Sequence, residues 1–229
     1  MLSGTDRVAM VTGASRGIGR AVADRLVAGG FRVSAGVREP AKFTQTDRIA
    51  YFRYDAEEPK SADAWLAATI ERFGTVQALA NVAGIIRPYT LYTEDDANFD
   101  EMWRVNVKAP LRLIRLTLPH LKASGEGRIV NVVSVSGKML ASPVVGYAAT
   151  KHAMMAVTTA VRRDAWKDGV RATAICPGFV LTDMGAGSTR VAQNDMTKAE
   201  DLAEMIHTVL LMPNTAGVPE VIVDCLDQW

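Results

Sequence analysis

The chain has 229 residues, 48% of them hydrophobic and 22% charged, a balance that supports a buried core and excludes a disordered polymer. A formal net charge of +1 excludes the one-signed field that nucleic acid or an anionic membrane would require, so neither partner is expected. The only two cysteines, Cys176 and Cys225, lie far apart without metal-ligand spacing, which leaves no disulfide framework, no metal site, and a thiol-reducing, cytoplasmic setting as the expectation.

Residues 1–7 lack the basic start and apolar core of a signal peptide. Short β-branched runs at 8–11, 32–37, 49–54, 76–80, 128–133, 171–175 and 221–223 read as strands. Amphipathic stretches at 18–28, 62–73, 96–121, 145–167 and 198–211 read as helices between them. Gly29-Gly30 and Gly74 are placed to end two of these helices, and Pro119 to interrupt the long one over 96–121 near its end. Residues 185–194 are small and polar without a period, the pattern of a mobile loop. No run is long and apolar enough to cross a membrane. The strands lack polar/apolar alternation, as expected when both faces are covered. The pattern is doubly wound α/β: seven parallel strands flanked by helices on both faces, in one domain over 1–229.

Between the first strand and the first helix lies Thr12-Gly13-Ala14-Ser15-Arg16-Gly17-Ile18-Gly19. Gly13 permits a tight turn, Gly17 lets backbone approach a pyrophosphate, and Gly19 allows helix and strand to pack closely. A helix N-terminus then presents unpaired N–H groups to the anion. The TGxxxGxG spacing resembles the short-chain dehydrogenase/reductase family. That resemblance implies a Rossmann fold, a cofactor part over about 1–130 and a catalytic and substrate part over about 131–229.

The second strand ends in Val37-Arg38, where an acidic residue would favour NAD. Arg38, with Arg16 from the glycine loop, offers guanidinium forks suited to a 2′-phosphate, so NADP(H) is the expected cofactor, with NAD(H) the alternative. The resemblance adds Asp55 at the adenine amino group and Asn81, Ala83 and Gly84 as the counterpart of an NNAG segment, Val82 being the departure. It also places Pro177, Gly178, Val180 and Thr182 beside the nicotinamide, with Ser15 and Ile18 in the glycine loop.

Tyr147 and Lys151 stand four apart on a helical pattern, so they share a face about 5–6 Å apart at Cβ. A free phenol titrates near about 10. A neighbouring ammonium and an oxidised nicotinamide are expected to lower that value. Ser134 ends the fifth strand thirteen positions before Tyr147. It is preferred to Ser136 as the hydroxyl that orients a carbonyl or alcohol. The resemblance makes Asn106 the fourth catalytic residue, holding a water in a proton relay through Lys151. Together these residues imply an oxidoreductase interconverting an alcohol and a carbonyl, with Tyr147 as general acid/base. A catalytically silent nucleotide sensor or scaffold on the same fold is the reading from another class.

Met139 and Phe179, with Ser134, are the expected pocket residues; Ile86, Arg87, Lys138 and Val144 are further candidates, the two cations as holders of a carboxylate. The substrate is a small molecule. The segment between Thr182 and the last helix is short beside the helical lid of many relatives. His120, His152 and His207 stand alone and read as packing residues, and Cys176 as a small buried one. The resemblance also implies a homodimer or homotetramer through the Asn106 and Tyr147 helices, and the apolar ending over 221–229 is expected to add a strand and bury Trp229 at a subunit contact.

Overall fold

A computed structural model describes residues 1–140, 144–187 and 190–226. Trp229 lies outside them. The seven strands are β1 (Val8–Thr12), β2 (Arg32–Val37), β3 (Ile49–Arg53), β4 (Ala78–Asn81), β5 (Arg128–Val132), β6 (Arg171–Pro177) and β7 (Glu220–Val223). All pair in parallel, in the order β3-β2-β1-β4-β5-β6-β7. The helices are α1 (Gly17–Ala28), α2 (Pro59–Phe73), α3 (Ala97–Trp103), α4 (Ala109–Ala123), α5 (Val145–Ala165) and α6 (Ala199–Leu210).

Alternate strand residues supply two cores. Ala9, Val11, Ala78, Ala80 and Val130 pack with Val22 and Leu26 of α1 and Leu202 and Ile206 of α6. Met10, Leu79, Ile129 and Ala172 face the other way, against Trp65 of α2, Leu113 and Leu121 of α4 and Val161 of α5. Apolar side chains on both faces explain the missing alternation in the sequence.

Two local expectations are corrected. Helix α4 runs through Pro119 to Ala123 rather than being interrupted. Pro119 and Arg115, whose carbonyl the ring deprives of a partner, are both exposed, so solvent can replace the lost bond. The single helix expected over 96–121 is instead α3 and α4 joined by a π-helical turn, Arg104–Lys108. At the helix ends, Gly74 adopts the left-handed conformation after α2 with φ 80°, while after α1 it is Gly30, φ 90°, that does so and not Gly29. The expected loop over 185–194 runs at its end into a short 3₁₀ turn, Gln193–Asp195, followed by a bridge from Val180 to Thr197.

The sheet order reverses between β1 and β4, the position where open α/β sheets leave a crevice at their carboxyl ends. Thr12, fully buried at the end of β1, closes the floor of that crevice. Its Oγ1 accepts hydrogen bonds from the N–H groups of Val82 (2.8 Å) and Ala83 (2.9 Å) just past β4. Replacing it with Val keeps the shape and leaves two donors unpaired, at about 1–3 kcal/mol for each buried group. Thr12→Val should therefore lower the urea midpoint of unfolding, and Thr12→Ser should restore most of it; equal midpoints for all three proteins would contradict the bridging role.

Candidate active site

The glycine loop is built as a cradle. Gly13 has φ 67° and Gly17 φ 53°, backbone that side-chain-bearing residues rarely adopt. A Cβ on Gly19 would stand 2.2 Å from the Gly13 carbonyl oxygen, so only glycine lets α1 start this close to β1. No side chain caps the first turn of α1 and no acidic residue occupies it, leaving its donors and dipole for an anion. Ser15 and Arg16 are exposed on this loop and Ile18 is half-buried. These features fit the pyrophosphate of a dinucleotide.

At the end of β2, Val37 is buried and Arg38 exposed. The next residue, Glu39, is paired with Lys42 at 2.8 Å. Asp55 is half-buried after β3, its carboxylate accepting from the Glu57 N–H at 3.0 Å. Asn81 is buried and ties strands together: its Nδ2 donates to Asn131 Oδ1 at 2.8 Å, and Asn131 Nδ2 donates to Thr158 Oγ1 on α5 at 2.8 Å. Asn81 Oδ1 has no partner among the described residues. Past β6, the Asp224 carboxylate packs against Gly178, in the space a Cβ there would take. The Val180 carbonyl accepts from Thr182 Oγ1 at 3.3 Å, and Thr182 lies beside Gly17, whose Cβ would come within 3.2 Å of its methyl.

Ser134, Tyr147, Lys151 and Asn106 meet at the same edge. Ser134 leads into a 3₁₀ turn, Val135–Gly137, with its Oγ accepting from Ser136 N at 3.1 Å, and it lies near enough to the Tyr147 hydroxyl to favour the phenolate. Lys151 is buried in α5, its Nζ 5.4 Å from the centre of the Tyr147 ring and 3.0 Å from the Val132 carbonyl oxygen to which it donates. Asn106 sits on the π-helical turn, a distortion frequent at functional sites. Its side chain clamps the turn after β4: Oδ1 accepts from Ile85 N at 2.9 Å, and Nδ2 donates to the Ile85 carbonyl at 2.9 Å and to Thr150 Oγ1 at 3.2 Å. A Cβ on Gly84 would lie 3.3 Å from Asn106 Oδ1 and 3.5 Å from Lys151 Nζ, so both polar groups flank this glycine.

The electrostatics depart from the expectation. Burial pushes the Tyr147 phenol up to about 12, with the Ser134 hydrogen bond opposing, so it is not lowered by Lys151 in the ligand-free protein. Burial also lowers the Lys151 ammonium to about 8. One desolvated environment thus acts on both groups, disfavouring the charged form of each. Cys176 is buried and its thiol pushed up to about 11, in keeping with a packing role. His207 is packed edge-on to Phe31, and among the described residues no cluster could hold a metal.

Met139 and Phe179 are half-buried at this edge, as is Val144, while Ile86 is exposed. Arg87 and Lys138 each already pair with a carboxylate of the chain. Arg87 makes a two-pronged pair with Glu101 (2.7 Å each) and Lys138 pairs with Glu220 at 2.8 Å. The residues that sequence reasoning missed are Thr12, Asn131 and Thr158. Asn131 had a signal, a polar residue inside the apolar run 129–133, and Thr12 opens the TGxxxGxG motif; the hydroxyl of Thr158 had none.

A family model described as short chain dehydrogenase matches residues 7–193. Agropine synthesis reductase from Rhizobium rhizogenes is 40% identical over 227 residues, 96% of this chain and 53% of that protein, so the chain spans about half the length of this relative. The 2-(R)-hydroxypropyl-CoM dehydrogenase of Xanthobacter autotrophicus is 35% identical over 190 residues, 78% of this chain and 76% of its own. Among solved structures, 3-ketoacyl-(acyl-carrier-protein) reductase from Brucella melitensis, complexed with NADH, is 27% identical with a TM-score of 0.89, covering 97% of this chain and 98% of that one. Alcohol dehydrogenase from Thermococcus sibiricus, complexed with 5-hydroxy-NADP, is 27% identical with a TM-score of 0.86 at the same coverage.

The buried ammonium yields a stability test. Because the folded Lys151 titrates near 8, below its ordinary 10.5, the folded chain binds fewer protons between those values and its stability rises with pH there. Lys151→Met should raise unfolding stability, on the order of 1–3 kcal/mol below pH 8, with the gain fading towards pH 10.5. A destabilised variant, or a gain independent of pH in urea titrations, would contradict the burial penalty.

Proposed function

As the chain belongs to the short-chain dehydrogenase family, we propose that it interconverts a small alcohol and carbonyl compound with NADP(H) in preference to NAD(H). The observation that carries this reading is the grouping of Ser134 and Tyr147 with the Lys151 ammonium, 5.4 Å from the phenol ring centre, at the edge that bears the uncapped α1 and its glycines. When bound, the nicotinamide supplies or accepts the hydride. In reduction, the Tyr147 hydroxyl gives its proton to the carbonyl oxygen as negative charge develops there, and Ser134 orients that oxygen by hydrogen bonding. Lys151, one helical turn away, stabilises the phenolate left behind. Asn106 positions the turn after β4 through Ile85, beside the same ammonium. A phenol held near 12 is in its acid form at neutral pH, ready to donate; oxidation of an alcohol requires the cationic nicotinamide to draw that value down.

Preference for NADP(H) is supported by the absence of a carboxylate at Val37 and the exposed Arg38 after it, with Arg16 on the neighbouring loop. The pairing of Arg87 with Glu101 and Lys138 with Glu220, together with half-buried Met139 and Phe179 and the exposed Leu140, Leu181 and Met184, favours an uncharged substrate with an apolar arm. A panel of aldehydes, ketones and keto acids, followed by nicotinamide absorbance, tests these assignments. Neutral carbonyls should turn over with NADPH at higher kcat/KM than with NADH, and above their keto-acid analogues. Tyr147→Phe should bind NADPH normally and lose about 10²–10⁴-fold in kcat; near-normal turnover by this variant would overturn the role given to Tyr147.

A further inference from the structure

Arg16, the last residue before α1, is paired with Asp183 on the loop after β6, Nη1 to Oδ2 at 2.7 Å. Strands β4 and β5 lie between β1 and β6 in the sheet, so this contact spans the mouth of the crevice. The neighbouring residues touch as well, since Thr182 packs beside Gly17. The two loops therefore meet at consecutive positions, with an ion pair outermost. We propose that Asp183 is a specificity-determining residue for the dinucleotide: it holds the Arg16 guanidinium and competes for it with a ribose 2′-phosphate. The inference rests on the dinucleotide reading above.

The physical case is one of shared charge. Arg16 lies four residues past Thr12 and Arg38 two past Gly36, and Thr12 and Gly36 are paired partners at adjacent strand ends. Arg16 is thus set between an anion of the protein on one side and the place of a 2′-phosphate on the other. Its side chain and that of Asp183 are 73% and 75% exposed, so their pairing is screened and weak. A phosphate dianion, which accepts two parallel bonds from a guanidinium, can displace the carboxylate, but must pay for breaking the pair. NAD(H), carrying a ribose hydroxyl there, leaves the pair in place. Asp183 therefore moderates the preference for NADP(H), and its removal sharpens it.

Calorimetric titration with 2′,5′-ADP and 5′-AMP isolates this effect, because the two ligands differ only in the 2′-phosphate and no turnover is needed. Asp183→Asn should tighten 2′,5′-ADP about two- to fivefold and leave 5′-AMP unchanged. In an Arg16→Ala background the gain should vanish, since the two residues act through one contact. Equal tightening of both ligands, a gain that persists without Arg16, or no gain at all would overturn the proposal. If both nucleotides bind and Asp183→Asn has no selective effect, only this inference falls; if neither binds the unaltered chain, the dinucleotide reading falls with it.

Discussion

Seven strands run in one direction, and that constraint gathers the site. Every carboxyl end opens at the same edge, so Thr12, Asn81, Ser134 and Pro177, which end or follow four different strands, become neighbours although 165 residues separate the first from the last. Parallel strands need covered faces, and the helices that cover them also strip water from the edge. Lys151 is buried for that reason, its ammonium donating to one carbonyl, that of Val132, among the described residues. A buried ammonium with one partner is a costly arrangement for a fold to maintain. Its position beside the Tyr147 ring gives that cost a chemical use.

The same desolvation that lowers Lys151 raises Tyr147. The two shifts bring their titrations away from the ordinary order of events: the ammonium becomes easier to deprotonate and the phenol harder. Burial thus favours the neutral form of both groups. Around it the rigid parts are polar links between elements. Asn81, Asn131 and Thr158 join β4, β5 and α5, and Asn106 fixes the turn that bears Gly84. Such a framework keeps catalytic groups in place without using them up.

Much of this was legible in the residues. The glycine spacing located the first turn, β-branched runs marked seven strands, and the separation of Ser134 from Tyr147 singled out a serine that the fold sets near the phenol. What failed was what depends on three-dimensional surroundings. Pro119 reads as a breaker until its side of the helix is known to be solvent-facing. The π-helical turn at Arg104–Lys108 leaves no periodic signature in so short a span. Charge effects were read from spacing alone, which put an ammonium near a phenol but omitted the burial that outweighs it. Arg87 and Lys138 looked available because Glu101 and Glu220, which occupy them, come from elsewhere in the chain.

The central claim is that burial, opposed by Ser134, holds Tyr147 as a reluctant acid until a cation arrives. Ultraviolet difference titration, taking the chain against its Tyr147→Phe variant to isolate one of five tyrosines, measures this directly. The account predicts a phenol that ionises near 12 in the free protein and at clearly lower pH with the oxidised dinucleotide bound. A Tyr147 signal at the ordinary value of about 10, unchanged by the dinucleotide, would contradict it.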